Sequence, residues 1–235
     1  MTSPLPAFWA VIPAAGVGAR MAADRPKQYL QLGGRTIIEH SIDCFLGHPS
    51  LKGVVVSIAA DDPYWPGLAC ANDARIQRAA GGRERADSVL NALLLLHAQG
   101  AADGDWVLVH DAARPNLARS DLDRLLAELA DDAVGGLLAV PARDTLKRAD
   151  SNGRVSATVD RSTIWQAFTP QMFRLGALHR ALAECLVSDV TVTDEASAME
   201  WAGLAPRLVE GRSDNIKVTR PEDLEWLRQR WSARG

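Results

Sequence analysis

The chain has 235 residues, of which 47% are hydrophobic and 23% charged, with a formal net charge of −3. That length permits one large domain with ample core, and the charge excludes the global positive field that would invite nucleic acid. The uncharged run from Phe8 to Ala19 lacks a basic flank, is broken by Pro13 and glycines, and is too short for a membrane span, so neither a signal peptide nor a membrane segment is expected.

The first predicted strand, Trp9–Pro13, drops straight into a small-residue loop, Ala14-Ala15-Gly16-Val17-Gly18-Ala19, with Arg20 and Lys27 close behind. Small residues let the main chain approach a ligand, and its N–H groups can point at an anion. Two nearby cations then suit a polyanion such as a nucleoside triphosphate. The loop is not a Walker A motif, because Ala19 and Arg20 stand where Lys and Ser or Thr belong. It is not a dinucleotide fingerprint either. Met21 occupies the third small position, and the nearest acid, Glu39, falls inside a helical pattern instead of ending a second strand. Gly16 and Gly18 alone would mark an ordinary turn; Arg20, Pro26, Lys27 and Gln28 add the weight.

A helix is predicted over Thr36–Leu46, then strands over Gly53–Ala59 and Ile76–Ala80. Gly81-Gly82 leads into a helix over Arg85–Gln99, an arrangement that can hold an anion or present backbone groups to a base, although a glycine pair is also a plain turn. A strand over Trp106–His110 ends at Asp111 and Arg114. An acid there can orient a cation or help hold a metal at a triphosphate, or serve only as an N-cap or as a partner for Arg114. A helix over Ser120–Ala130 and a strand over Gly136–Val140 follow. These strands are near-continuous in apolar residues, as strands buried on both faces are. Their alternation with helices predicts an α/β fold: a Rossmann-like, mostly parallel sheet with helices on both faces. Ligands bind beyond the carboxyl ends of such strands.

The pattern changes over residues 141–168, which are too polar to form their own core. Asn152-Gly153 between two β-prone segments predicts a hairpin, so the segment reads as a projecting β-hairpin arm on a single domain spanning 1–235, with Trp165 and Phe168 at its base. Such an arm suits a homodimer. Helices are predicted again over Leu175–Val187 and Asp194–Ala202, the latter with Thr193 as capping residue and acids in its first turn. Asn215-Ile-Lys217-Val-Thr219 then places a lysine before a last helix near Pro221, with Thr219 and Glu222 as a capping box. Cys44, Cys70 and Cys185 are scattered, which suggests reduced thiols and a cytoplasmic protein. The five histidines do not cluster at metal-ligand spacing.

The joint occurrence of these segments, in this order, resembles the 2-C-methyl-D-erythritol 4-phosphate cytidylyltransferase family. The resemblance rests on Pro13-Ala-Ala-Gly-Val-Gly-Ala-Arg-Met21, Pro26-Lys-Gln-Tyr-Leu30, Gly81-Gly82 with Arg85-Ala-Asp-Ser-Val89, and His110-Asp-Ala-Ala-Arg-Pro115. It continues through Arg143-Asp-Thr-Leu-Lys147, Thr158-Val-Asp-Arg161, Thr169-Pro-Gln171, Val192-Thr-Asp-Glu-Ala-Ser197 and Asn215-Ile-Lys-Val218. The related ribitol-5-phosphate cytidylyltransferases tend to carry Ala-Gly-Gly where this chain has Ala14-Ala15-Gly16. A fused cyclase domain, present in some members, is not expected.

The resemblance implies transfer of the cytidylyl group of CTP to a phosphorylated polyol, methylerythritol phosphate, with release of pyrophosphate. It implies Arg20, Lys27, Arg161 and Lys217 as catalytic residues. Pro13, Ala14, Ala15, Gly16, Gly18, Gly82, Arg85, Ser88, Asp111 and Ala112 would hold the nucleotide. Asp111, Arg114, Thr145, Arg161, Thr193 and Lys217 would hold the second substrate, with Thr145 and Arg161 serving the neighbouring subunit of a homodimer through the 141–168 arm. It further implies Mg²⁺, or Mn²⁺ in its place, carried mainly by the CTP phosphates with Asp111 nearby. No nucleic-acid or membrane partner is implied. Arg83 receives no role: it could touch the nucleotide or face solvent. A nucleotide-binding regulator without chemistry would not need Lys27, Arg161 and Lys217 together, and a nicotinamide oxidoreductase is disfavoured by Met21 and by the missing ribose acid.

Overall fold

The computed structural model describes residues 4–16 and 25–232. Arg20 and Gly18, expected at the site, lie outside them. A seven-stranded sheet organises the chain. Its strands are β1 (Phe8–Pro13), β4 (Leu51–Ile58), β5 (Ile76–Ala80), β6 (Trp106–Val109), β7 (Gly135–Pro141), β10 (Trp165–Arg174) and β11 (Arg207–Glu210), in the spatial order β11-β7-β10-β6-β1-β4-β5. Every pairing is parallel except those of β10, which runs antiparallel to both β6 and β7. Two small hairpins complete the strands: β2 (Gln31–Leu32) with β3 (Arg35–Thr36), and β8 (Leu146–Ala149) with β9 (Val155–Val159).

The apolar runs divide by alternation between the two faces, as the period of two requires. Ala10, Ile12, Val54, Val56 and Leu108 face helices α1 (Ile37–Leu46) and α3 (Arg119–Leu129), whose Ile38, Ile42, Phe45, Leu122, Leu125 and Leu126 close that side. Val11, Val55, Val107, Val109 and Phe173 face α2 (Arg85–Ala98), α4 (Leu175–Val187) and α5 (Glu195–Trp201) on the other. The last helix, α6 (Pro221–Ser232), joins Leu32, Ile37, Ala113 and Val218 in a third cluster through Leu224 and Leu227. The architecture is therefore three-layered α/β/α, as the sequence predicts.

Three local expectations are corrected. The segment after Trp165 is not only the base of an arm: it enters β10, a strand in the interior of the sheet. Its register against β7 shifts between Ala167 and Gln171, which accommodates Pro170, a residue with no N–H to give to the ladder. Helix α5 is capped by Asp194, not Thr193: the Asp194 carboxylate accepts the Ser197 N–H at 2.9 Å. At the start of α6 the acceptor is Asp223, which takes the N–H groups of Thr219 and Arg220, both at 2.8 Å, so the cap sits one residue beyond the Thr219–Glu222 pair.

The predicted hairpin is present. Asp150 accepts the N–H groups of Asn152 and Arg154, and Gly153 occupies a positive φ of 76° that its lack of a Cβ permits. The hairpin's neck is closed where the Ala142 N–H donates to the Ile164 carbonyl at 2.9 Å. The projecting residues are thus 142–164, while Trp165 pairs with Pro141 inside the sheet.

Gly136 lets β11 join the sheet, because a Cβ there would run into the Arg207 carbonyl. Gly136→Ala should lower unfolding stability by about 1–3 kcal/mol, the usual range for overpacking. Gly104→Ala, at a position with open space around it, should change it by less than about 0.5 kcal/mol. Urea unfolding of both variants checks the contrast.

Candidate active site

The carboxyl ends of β1, β5 and β6 open onto one cleft of about 310 Å³. At β1 the strand order reverses, with β4 and β5 on one side and β6 on the other, which is where open α/β sheets bind ligands. Pro13, Ala14, Ala15 and Gly16 form one wall. Gly82, Arg83, Glu84, Arg85 and Ser88 form another, and Asp111, Ala112, Ala113, Lys27, Gln28 and Lys217 complete the lining.

The small residues are required by close approach. A Cβ on Gly81 would collide with Ala15, and one on Gly82 with Asp87 in the first turn of α2. The Gly82 N–H donates to the Ser88 hydroxyl at 2.9 Å, and that hydroxyl donates to the Glu84 carbonyl at 3.1 Å. Gln28 is buried and donates to the carbonyls of Ala14 and Gly16 at 2.7 and 3.1 Å, fixing the end of β1 against the segment that carries Lys27.

Asp111 sits at the centre of the charged residues. One carboxylate oxygen accepts from Arg85 Nε at 3.1 Å. The other pairs with Lys217 Nζ at 2.9 Å and Arg114 Nε at 3.3 Å. Burial alone would push its pKa up. The charges of Arg85, Lys217 and Arg114 outweigh that and hold it far below the usual carboxylate range. The far side of Arg85 is held by Glu195, which is buried and makes a two-pronged pair at 2.6 and 3.1 Å; these carboxylates drive the guanidinium pKa upward against its own desolvation. Three cations against two carboxylates leave this cluster with one net positive charge, before Lys27 is counted.

The backbone around this cluster is tied by buried polar groups. The Asp111 N–H donates to the Thr169 hydroxyl at 3.1 Å. That hydroxyl also meets His110 Nδ1 at 3.0 Å, and His110 Nε2 meets the Arg114 carbonyl at 3.0 Å. A carbonyl can only accept, so Nε2 carries the proton and Nδ1 accepts from Thr169. Burial lowers the His110 pKa to about 4, so the ring is a neutral structural link at neutral pH. Asn215 donates to the Thr169 carbonyl at 2.8 Å, and its own carbonyl accepts from Arg114 at 2.7 Å. The Val218 N–H donates to the Ala113 carbonyl at 2.8 Å, and the Val218 carbonyl accepts from Lys27 Nζ at 2.9 Å. Lys27 and Lys217, 190 positions apart, are thereby brought to one segment.

Of the residues expected from sequence, Pro13, Ala14, Ala15, Gly16, Lys27, Gly82, Arg85, Ser88, Asp111, Ala112 and Lys217 line this cleft. Arg114 lies behind it, stacked on Phe168 with its guanidinium 4.7 Å from the ring centre. Thr145, Arg161 and Thr193 are exposed and do not line it; the first two lie on the hairpin. The sequence reading missed Glu195, Thr169, Asn215 and Gln28 as organisers of the site. Glu195 and Thr169 stand within segments that carry the family resemblance, but nothing local signals that their partners are Arg85 and His110.

The residues do not make a protein cage for a divalent cation. No group of three or more His, Cys, Asp or Glu suited to a metal occurs among the described residues, and both Asp111 oxygens are already engaged by cations. No helix among those residues is long and apolar enough to cross a membrane.

A cleft of this charge and position, floored by parallel strands and walled by a small-residue loop, defines a nucleotide-binding α/β protein. The family model for IspD, 2-C-methyl-D-erythritol 4-phosphate cytidylyltransferase, matches residues 8–228. A relative of that name from Pseudomonas putida (strain W619) is 89% identical over 234 residues and 100% of both chains. One from Pseudomonas syringae pv. tomato is 80% identical over 235 residues and 100% of both chains. Among solved structures, a 4-diphosphocytidyl-2C-methyl-D-erythritol synthase superimposes with a TM-score of 0.83 at 41% identity, covering 97% of this chain and 99% of its own. The Francisella tularensis 2-C-methyl-D-erythritol 4-phosphate cytidylyltransferase gives 0.80 at 38%, covering 94% and 97%. The chain belongs to the 2-C-methyl-D-erythritol 4-phosphate cytidylyltransferase family.

Removing one partner of a buried ion pair strands the other. Glu195→Gln should lower stability by about 3 kcal/mol, and the loss should shrink when Arg85→Gln is added. A double-mutant cycle by chemical denaturation measures this coupling.

Proposed function

We propose that the protein transfers the cytidylyl group of CTP to 2-C-methyl-D-erythritol 4-phosphate, giving 4-diphosphocytidyl-2-C-methyl-D-erythritol and pyrophosphate, a step of non-mevalonate isoprenoid precursor synthesis. The observation that carries this reading is the meeting of Lys27 and Lys217 at a small-residue cleft in a chain of this family. A phosphomonoester oxygen attacks the α-phosphorus of CTP. The new P–O bond forms as the bond to the β-phosphate oxygen breaks, and pyrophosphate departs with that electron pair. No covalent enzyme intermediate is needed. A dianion must approach a polyanion, so catalysis consists of positioning and of charge placed where it builds up in the transition state.

In this reading Arg20 and Lys27 stabilise the phosphates around the reacting phosphorus. Ala14, Ala15, Gly16, Gly82 and Ser88 cradle ribose and base. Asp111 orients Lys217 and Arg114 toward the incoming substrate. Mg²⁺, or Mn²⁺ in its place, would be held mainly by the triphosphate and would offset phosphate charge there, since Asp111 is already surrounded by cations. Thr145 and Arg161 complete the site of a second copy in a homodimer. This is supported by their exposure on a hairpin whose strands, among the described residues, pair only with each other, and by the two-thirds exposed Val155 on it. Thr193 is assigned to the second substrate on resemblance alone. A cytoplasmic location fits the three free cysteines, with burial raising the thiol pKa of Cys44 to about 12 and of Cys70 to about 11.

The test is pyrophosphate release from CTP with methylerythritol phosphate as acceptor, and none with ribitol 5-phosphate. In that assay Lys27→Ala should reduce kcat by about 10²–10³, the scale for loss of one transition-state donor, and raise KM for CTP less. Near-normal turnover would reject the role of Lys27. Arg161→Ala and Lys217→Ala, each inactive alone, should regain about a quarter of wild-type activity after random subunit exchange, since half the dimers would carry one intact site of two. No recovery despite proven exchange would place both residues of a site on one chain.

A further inference from the structure

The turn that carries Lys27 is a short one, and each of its side chains is tied to a different part of the fold. Lys27–Tyr29 forms one turn of 3₁₀ helix, closed by the Tyr29 N–H on the Pro26 carbonyl at 2.9 Å and the Leu30 N–H on the Lys27 carbonyl at 3.2 Å. Successive side chains of such a turn leave its axis roughly 120° apart. Lys27 Nζ reaches the Val218 carbonyl ahead of α6, and the Gln28 amide reaches the carbonyls of Ala14 and Gly16 after β1. Tyr29 goes a third way. Its side chain is buried, and its hydroxyl donates to Asp62 at 2.8 Å, in the connection that follows β4.

Asp62 is a fixed acceptor. Its N–H donates to the Ala59 carbonyl at 3.3 Å, and its other carboxylate oxygen takes the N–H groups of Tyr64 and Trp65 at 2.9 and 3.0 Å. Trp65 is buried in the same cluster as Ile38, Ile42 and Phe45 of α1. The Tyr64 ring lies beside that of Tyr29, with centres 5.0 Å apart. Burial and the neighbouring Asp62 carboxylate push the Tyr29 phenol above its ordinary range, so it remains a protonated donor at neutral pH. The bond is a strut between the Lys27 turn and a post anchored beyond the carboxyl end of β4. A lysine stem is flexible, so where its ammonium can go is set by where the stem is rooted. Neither Tyr29 nor Asp62 lines the cleft.

We infer that Tyr29, through its hydrogen bond to Asp62, is a positioning residue that holds the Lys27 turn in place for nucleotidyl transfer without touching either substrate. The inference rests on the proposed reaction and on the role given there to Lys27.

The test is steady-state kinetics of the full-length protein with CTP and methylerythritol phosphate, for wild type, Tyr29→Phe, Lys27→Ala and the double variant. Tyr29→Phe removes one oxygen, and water can solvate the half-buried Asp62 that it leaves. It should lower kcat about tenfold, short of the roughly hundredfold that a misplacement of about 1 Å can cost, and shift KM for CTP by less than about threefold. With Lys27→Ala in place there is no ammonium left to aim, so adding Tyr29→Phe should change kcat by less than about twofold. A loss of folded protein would instead lower kcat by the same factor in both backgrounds. Asp62→Asn, which keeps Oδ1 for the Tyr64 and Trp65 N–H groups, should give a smaller fall with the same dependence on Lys27. Absence of turnover in the wild type would sink the reaction and the inference together. With wild-type turnover intact, a Tyr29→Phe kcat within about twofold of wild type, or equal losses with and without Lys27, would overturn the inference alone.

Discussion

One buried carboxylate sets the arrangement of the cleft. Asp111 is where α2, the end of β6 and the segment before α6 meet, and each reaches it with a positive charge. Without it, Arg85, Arg114 and Lys217 would repel one another from neighbouring positions in a poorly solvated environment. With it, they stand in fixed places before any ligand arrives. A site for polyphosphate chemistry gains most from cations that need not reorganise when charge moves, and a shared counter-ion meets that requirement. Glu195 extends the same device one shell outward by fixing the far side of Arg85. Thr169, His110 and Asn215 hold the main chain that carries it.

The basic character is local. Net charge over the whole chain is −3, yet the cleft gathers Lys27, Arg83, Arg85 and Lys217 against Glu84 and Asp111. That contrast suits a small polyanion better than an extended phosphate backbone, whose binding draws on a broad positive face. The segments that supply these side chains are distant in sequence. They converge because parallel strands put all their carboxyl ends at one edge of the sheet.

Much of this was legible in the residues, for a physical reason. Strands β1, β4, β6 and β7 are covered by helices on both faces, so they read as unbroken apolar runs. The elements that escaped are those whose polar groups work inside the protein. Strand β10 contains Gln166, Thr169, Pro170 and Gln171, a composition that argues against an interior strand. Yet Gln171 secures the start of α5, giving a hydrogen bond to Asp194 and accepting the Ala196 N–H, and Thr169 supports His110 and Asp111. Strand β11 is short and lies at the sheet edge, with a single buried side chain, Val209. Glu195 looked like an acid placed favourably in a first helical turn, because its true partner, Arg85, lies 110 positions away and leaves no local trace. The cap before α6 was misplaced by one residue, since Thr219-Arg-Pro-Glu-Asp223 offers two acids at adjacent positions.

The reversed direction of β10 has a geometric outcome. Because β7 runs parallel to β6 and β10 runs back between them, the excursion over residues 142–164 leaves and re-enters the sheet at the same rim as the cleft. Its two feet are clasped by the bond between Ala142 and Ile164, and the pairing of β8 with β9 is its own affair. Lengthening, trimming or exchanging the tip would leave the load on the seven strands unchanged. The tip between β8 and β9 is thus mechanically separate from the sheet, while Thr145 and Arg161, each three positions from the clasp, are tied to the rim on which the cleft lies.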